Sequence, residues 1–234
     1  MAKPELIKRL YEIGAIKFGE FTLKSGKKSP YYIDLRVLPS YPTVLSETGK
    51  VMGEMIRSLP EKPTRLCGIP AAGLAIANMV GIETGIPVAY TRKEPIIYKD
   101  LATQLETFIK EGKYQPNEVP VVEKVIQTIE ELSGLKTHGI TRYVDGNIQD
   151  GDRIGVVHDL ITTSVSKTEA CDLVRLEAKR RNINVDVIGV YVLLDREQGG
   201  REALQREGLE LYSVTTIREA AKCLKDLGIL TSEL

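Results

Sequence analysis

From Arg65 onward the chain alternates short, β-branched apolar runs with longer stretches of helical spacing. RLCGIP (65–70), PVAYTRK (87–93), IGVVHD (154–159), VIGVYVLLD (187–195) and a run at about 211–214 read as strands, and residues 73–83, 166–181 and 217–227 as helices. Strands alternating with helices of this length predict βαβ units, and so an α/β fold with a parallel sheet covered by helices on both faces. Upstream, Leu6, Ile7, Leu10 and Ile13 fall on one helical face that Gly14 ends. Phe21 and Leu23, then Tyr31, Ile33 and Leu35, alternate with polar residues around a Ser-Gly-Lys-Lys-Ser-Pro turn, the pattern of a β-hairpin. Val44, Leu45, Val51, Met52, Met55 and Ile56 predict a helix over 42–59 that Pro60 closes.

Residues 95–135 break this rhythm, being longer than an ordinary strand connection. Leu101, Leu105, Phe108 and Ile109 mark one helical face there, and Val122, Val125, Ile126, Ile129 and Leu132 a second. A helical hairpin inserted at the ligand edge of the sheet results, with three roles open to it: a lid, an oligomer contact or a neutral decoration. In parallel sheets ligands bind beyond the carboxyl ends of the strands, which gathers residues 69–73, 92–94, 158–166 and 195–200 at one edge.

Among these, 153–170 carries the densest chemistry. Ile154, Val156 and Val157 suit a central strand, His158 and Asp159 stand where it is expected to run out, and Thr162, Thr163, Ser164 and Ser166 crowd the turn before a helix. Hydroxyls, unpaired backbone N–H groups and the positive end of a helix dipole together suit a phosphate monoester. The same residues also read as plain helix punctuation, since Ser166-Lys167-Thr168-Glu169 has the form of a capping box.

Composition narrows the function classes. With 234 residues the chain can bury a sizeable core, and its 32 basic residues balance 32 acidic ones, so no global basic field favours nucleic acid. Cys67, Cys171 and Cys223 stand far apart without a CxxC pair, which suggests reduced thiols, more often core filler than ligands, in a cytoplasmic protein. The N-terminal stretch is charged throughout and lacks the apolar centre of a signal peptide, and the most apolar stretch, 71–90, is interrupted by Asn78, Glu83 and Thr84. His138 and His158 are the only histidines, which excludes a histidine-rich metal site.

Several patches in order resemble the orotate phosphoribosyltransferases, a family of type I phosphoribosyltransferases of pyrimidine synthesis. FGEFTLKSGKKSPYYID (18–34) looks like that family's orotate-contacting hairpin, and GIPAAG (68–73) resembles its pyrophosphate-contacting loop. TRKE (91–94) with KTHG (136–139) is similar to its mobile loop motif, split by the insertion; HDLITTSVS (158–166) and LLDREQGG (193–200) resemble its phosphoribosyl motif and the strand end that carries an orotate-binding arginine. The resemblance implies residues 1–234 as a single phosphoribosyltransferase-like domain, with a hairpin hood and a helical insertion at about 95–135. It implies transfer of ribose 5-phosphate from phosphoribosyl pyrophosphate to orotate by a homodimer, with Mg²⁺ carried on the substrate's pyrophosphate rather than on protein ligands.

By the same resemblance, Asp159 would meet the ribose hydroxyls and balance the cationic ring. His158, Thr162, Thr163, Ser164, Val165 and Ser166 would hold the phosphoribosyl group, with the 5-phosphate on 162–166. Lys24, Tyr32, Ile33 and Arg196 would contact orotate, and Arg92, Lys93, Lys136 and His138 would gather on pyrophosphate. Three positions of the phosphoribosyl motif depart from the pattern the resemblance implies, His158 replacing an acid, Ser164 a glycine and Val165 a small hydroxyl residue, and Ala71 and Ala72 stand where relatives often place a polar group. An imidazole cannot accept ribose hydroxyls as a carboxylate does. These departures support a second reading, a catalytically impaired relative that binds phosphoribosyl pyrophosphate or a nucleotide in a regulatory role.

Overall fold

The computed structural model describes residues 3–22, 26, 28–92, 96–134 and 142–230; within these, the side chains of 96–101, 103 and 130–134 lie outside the description. Met1–Thr91 together with Val144–Leu234 form one compact unit and Arg92–Tyr143 a second.

In the first unit β3 (Arg65–Gly68), β6 (Asp152–Ile161) and β7 (Val185–Asp195) are buried along most of their length, as interior parallel strands must be. Across the sheet the order is β5 (Val144–Asp145), β4 (Val88–Thr91), β3, β6, β7, β8 (Leu211–Thr216). Neighbours are parallel except β5, which runs antiparallel to β4 and makes the sheet mixed at that edge, a correction to the all-parallel expectation. With two residues, β5 is too short to leave a pattern in the sequence. Strand succession reverses between β3 and β6, and in parallel sheets ligands bind beyond the carboxyl ends of the strands at such a point.

β6 does not run out at His158 and Asp159. It continues to Ile161, paired with β7 in the register His158↔Val192, Leu160↔Leu194 and Ile161↔Asp195, because Leu160 and Ile161 resume the apolar run. Its pairing with β3 stops at Val157, so the last four residues of β6 have a strand neighbour on one side only.

α2 (Pro42–Ser58) and α3 (Ala72–Thr84) join Met52, Ile56, Ile76 and Val80 to Leu66, Val157, Tyr191 and Leu193 in the main core. Cys67, on the opposite face of β3 from Leu66, lies beside Cys171 of α6 (Val165–Arg181). Burial pushes both thiols up to about 12, as suits packing groups rather than nucleophiles. At the amino end of the sheet Arg65 Nε meets Asp152 Oδ2 at 2.5 Å; both residues are buried, and the pair pins β3 to β6.

α1 (Pro4–Glu12) packs Ile7 against Ala220 and Leu224 of α8 (Ile217–Asp226). β1 (Ile16–Thr22) and β2 (Lys28–Ile33) pair antiparallel, with an irregularity between Phe18 and Phe21. Leu35 leaves the expected alternation and opens a 3-10 helix, Leu35–Ser40, where Asp34 Oδ1 accepts from the Arg36 N–H at 3.2 Å. A short helix that the spacing did not predict, α7 (Gly200–Arg206), follows β7.

In the second unit α4 (Ile96–Lys110) and α5 (Val119–Gly134) bury Ala102, Ile126 and Ile129, with Leu105, Ile109 and Val122 packed around them. The expected face residues Leu101 and Leu132 fall outside the described side chains. No helix among the described residues is long and apolar enough to cross a membrane.

Candidate functional site

β6 supplies the centre of the site. His158 Nδ1 lies 2.5 Å from Asp159 Oδ1 and 3.1 Å from the Leu160 carbonyl, and the Leu160 N–H donates to Asp159 Oδ1 at 2.8 Å. Facing two oxygens, Nδ1 is the ring nitrogen that carries hydrogen. Asp159 is 5% exposed. Burial works to raise its carboxyl, but the bonds from His158 and Leu160, with the neighbouring imidazole and the Lys167 cation, outweigh that and hold it below the usual carboxylate range. The site therefore keeps an ionised carboxylate where β6 meets its turn.

Two glycines let the backbone close on this strand end. A Cβ on Gly73, at the start of α3, would sit 2.7 Å from the Val157 carbonyl oxygen and 2.9 Å from His158 Cα; one on Gly200, at the start of α7, would sit 2.5 Å from Ile161 Cγ1. The GIPAAG and LLDREQGG strings thus end in residues that pack directly on β6.

The turn differs in detail from its sequence reading. α6 begins at Val165 with Ser164 as N-cap in helical dihedrals, and the Ser164 side chain makes no capping bond. Its carbonyl accepts instead from the N–H groups of Lys167 and Thr168 and from Thr168 Oγ1. Ser166 is therefore inside the helix and the Ser166–Glu169 capping box does not form; a capping box stands at α8, between Thr216 and Glu219. Thr163, Val165 and Ser166 are exposed and Ser164 is buried.

Arg196 joins this turn to the hairpin. Its Nη1 donates to Thr162 Oγ1 at 3.1 Å, its N–H to the Ile161 carbonyl at 3.1 Å, and its Cζ lies 5.4 Å from the Tyr31 ring centroid. Gln198 Nε2 donates to Tyr31 Oη at 2.9 Å. Arg196 Nε is buried and has no acceptor among the described residues. Asp195 does not pair with Arg196: it accepts from the Glu197 N–H at 2.8 Å and faces Arg201 Nη2 at 3.4 Å.

Of the residues singled out from sequence, His158, Asp159, Thr162, Thr163, Ser164, Val165, Ser166 and Arg196 come together at this edge. On the hairpin Tyr32 is exposed and sits against Phe21, with ring centroids 5.8 Å apart, while the Ile33 side chain packs against the main core. Arg92 belongs to the second unit, where its N–H donates to the Tyr143 carbonyl at 3.0 Å. Lys24, Lys93, Lys136 and His138 lie outside the described residues. Sequence reasoning missed Tyr31 and Gln198, because hairpin alternation casts Tyr31 as a core residue, and it missed Lys167, to which the capping-box reading gave no role.

No family model matches the chain. The orotate phosphoribosyltransferase of Pyrococcus abyssi is 30% identical over 227 residues, covering 96% of this chain and 100% of the relative. The chain belongs to the orotate phosphoribosyltransferases. Among solved members of that family, the Aeropyrum pernix enzyme superposes with a TM-score of 0.62 at 25% identity, covering 97% of this chain and 99% of that one. The Leishmania donovani UMP synthase structure gives a TM-score of 0.70 at 26% identity over 100% of this chain and 40% of its own. Family membership thus extends along nearly the whole chain.

Proposed function

We propose that this protein transfers ribose 5-phosphate from phosphoribosyl pyrophosphate to orotate, giving orotidine 5′-monophosphate and pyrophosphate. The observation that carries the reading is the Arg196 junction: a guanidinium 5.4 Å from the Tyr31 ring centroid, bonded to Thr162, with a buried Nε that has no acceptor among the described residues, at the turn that follows the strand carrying the ionised carboxylate of Asp159. Orotate offers the carboxylate and ring oxygens that such a donor lacks. As the bond from C1′ to pyrophosphate stretches and the one to the base nitrogen forms, positive charge develops on the ribose ring, and Asp159, held charged in a poorly solvated place, stabilises it. The hydroxyls of Thr163 and Ser166 and the first N–H groups of α6 suit the 5-phosphate.

Among the described residues no group of three or more His, Cys, Asp or Glu side chains could hold a metal ion, and the known bonds to Asp159 both fall on Oδ1. By the family likeness, Mg²⁺ would come with the substrate's diphosphate, where it would neutralise charge on the leaving group. The family likeness assigns the same task to Arg92, Lys93, Lys136 and His138, and orotate contacts to Lys24, Tyr32 and Ile33. Those assignments, a homodimeric state and a cytoplasmic location complete the proposal.

Calorimetric titration with orotate tests the Arg196 assignment. Arg196→Met is expected to weaken orotate roughly tenfold or more, the scale of a lost charge-assisted bond. Unchanged affinity would remove the observation on which the reading stands.

A further inference from the structure

Lys167 is the third residue of α6 and its side chain is 4% exposed. Two things there oppose a cation. Burial holds its ammonium below the usual lysine range, offset in part by Asp159, and the amino end of a helix is itself positive. Among the described residues no salt bridge adds to the relief from Asp159: α6 has no acid in its first turn, and the Oδ1 of Asp159 is taken by His158 and the Leu160 N–H. Among the described residues the one acceptor for Lys167 Nζ is Ser166 Oγ at 3.2 Å.

An ammonium has three donors and no lone pair, so in this contact Ser166 Oγ must accept, and its own proton is directed elsewhere. Ser166 is exposed and Lys167 is buried. The arrangement is costly to the empty protein, and among the described residues no salt-bridge partner accounts for it. Its natural complement is an anion in front of the turn.

From this geometry we infer that Lys167 is a phosphate-positioning residue: it fixes the Ser166 hydroxyl as a donor and places a buried positive charge beside it, for the phosphate monoester end of the ribosyl substrate. The inference rests on the phosphoribosyl-transfer reading and deepens it. It needs no covalent step at Lys167.

The test uses the full-length protein and four variants, Lys167→Met, Lys167→Arg, Ser166→Ala and the Lys167→Met/Ser166→Ala pair, with ribose 5-phosphate and orotate as separate calorimetric probes and a thermal melt of each empty protein. Lys167→Met should melt at or above the parent temperature, since an unpaired buried charge is gone, yet bind ribose 5-phosphate roughly tenfold or more weakly. Orotate affinity should hold, Lys167→Arg should recover part of the loss, and the double variant should lose less than the two single losses combined. Unchanged ribose 5-phosphate affinity in Lys167→Met would overturn the inference. So would a lowered melting temperature with both probes weakened alike, the mark of a merely structural lysine, or a parent that binds no ribose 5-phosphate. A parent that binds ribose 5-phosphate with the expected variant ratios but never consumes orotate would instead sink the transfer reading while leaving the Lys167 assignment standing.

Discussion

Asp159 is ionised because its neighbours donate to it, and the chief donor is His158, which stands where the family resemblance implies an acid. His158 Nδ1 occupies Asp159 Oδ1 at 2.5 Å, leaving that oxygen less able to accept a ribose hydroxyl. Replacing the imidazole with a second carboxylate restores acceptors at the strand end. His158→Asp is therefore expected to raise orotate turnover about tenfold, equivalent to roughly 1.4 kcal/mol of barrier; a steady-state comparison with the parent checks it, and no gain would show that His158 is not the handicap. At this scale the sequence was legible in residue types and not in side-chain directions. Arg196 could be singled out from its string, but the ring beneath it, Tyr31, could not, because the contact joins positions far apart in the chain. Lys167 was hidden by a shift of helix start: moving the N-cap from Ser166 to Ser164 puts Glu169 too deep in the helix to reach back, and the lysine between them is buried.

The strands and helices themselves followed closely from period and punctuation, and the departures occur where a short-range pattern meets a long-range pairing. β6 outlasts its polar His158-Asp159 pair because β7 continues beside it to Asp195. Loss of β3 as a partner after Val157 opens the other flank of that segment, and α3 closes in on it through Gly73. A methyl group there would meet the Val157 carbonyl oxygen at 2.7 Å and His158 Cα at 2.9 Å, backbone atoms that cannot swing aside. Gly73→Ala is accordingly expected to cost roughly 1–3 kcal/mol of stability, the range for overpacking, and to lower turnover by displacing His158 and Asp159. Chemical denaturation with parallel rate measurements reads both effects, and a variant as stable and as active as the parent would contradict this view of the α3–β6 contact.

For the whole molecule, the alternation of strands and helices was enough to give an α/β sheet, whereas the order β5-β4-β3-β6-β7-β8 and the antiparallel edge depend on pairings between distant segments. The two helices of Arg92–Tyr143 were legible because their apolar faces cover each other: Ala102, Ile126 and Ile129 make a small core of their own. The ionised carboxylate at the strand end, the hydroxyl-rich turn and the buried arginine donor, the groups that the proposed phosphoribosyl transfer uses, lie on one sheet edge. The most direct measurement of that claim follows orotate in the presence of phosphoribosyl pyrophosphate and Mg²⁺, with orotidine 5′-monophosphate and pyrophosphate quantified at the end. The account predicts loss of orotate that requires phosphoribosyl pyrophosphate and yields both products in equal amounts; binding of both substrates with no consumption of orotate would contradict it.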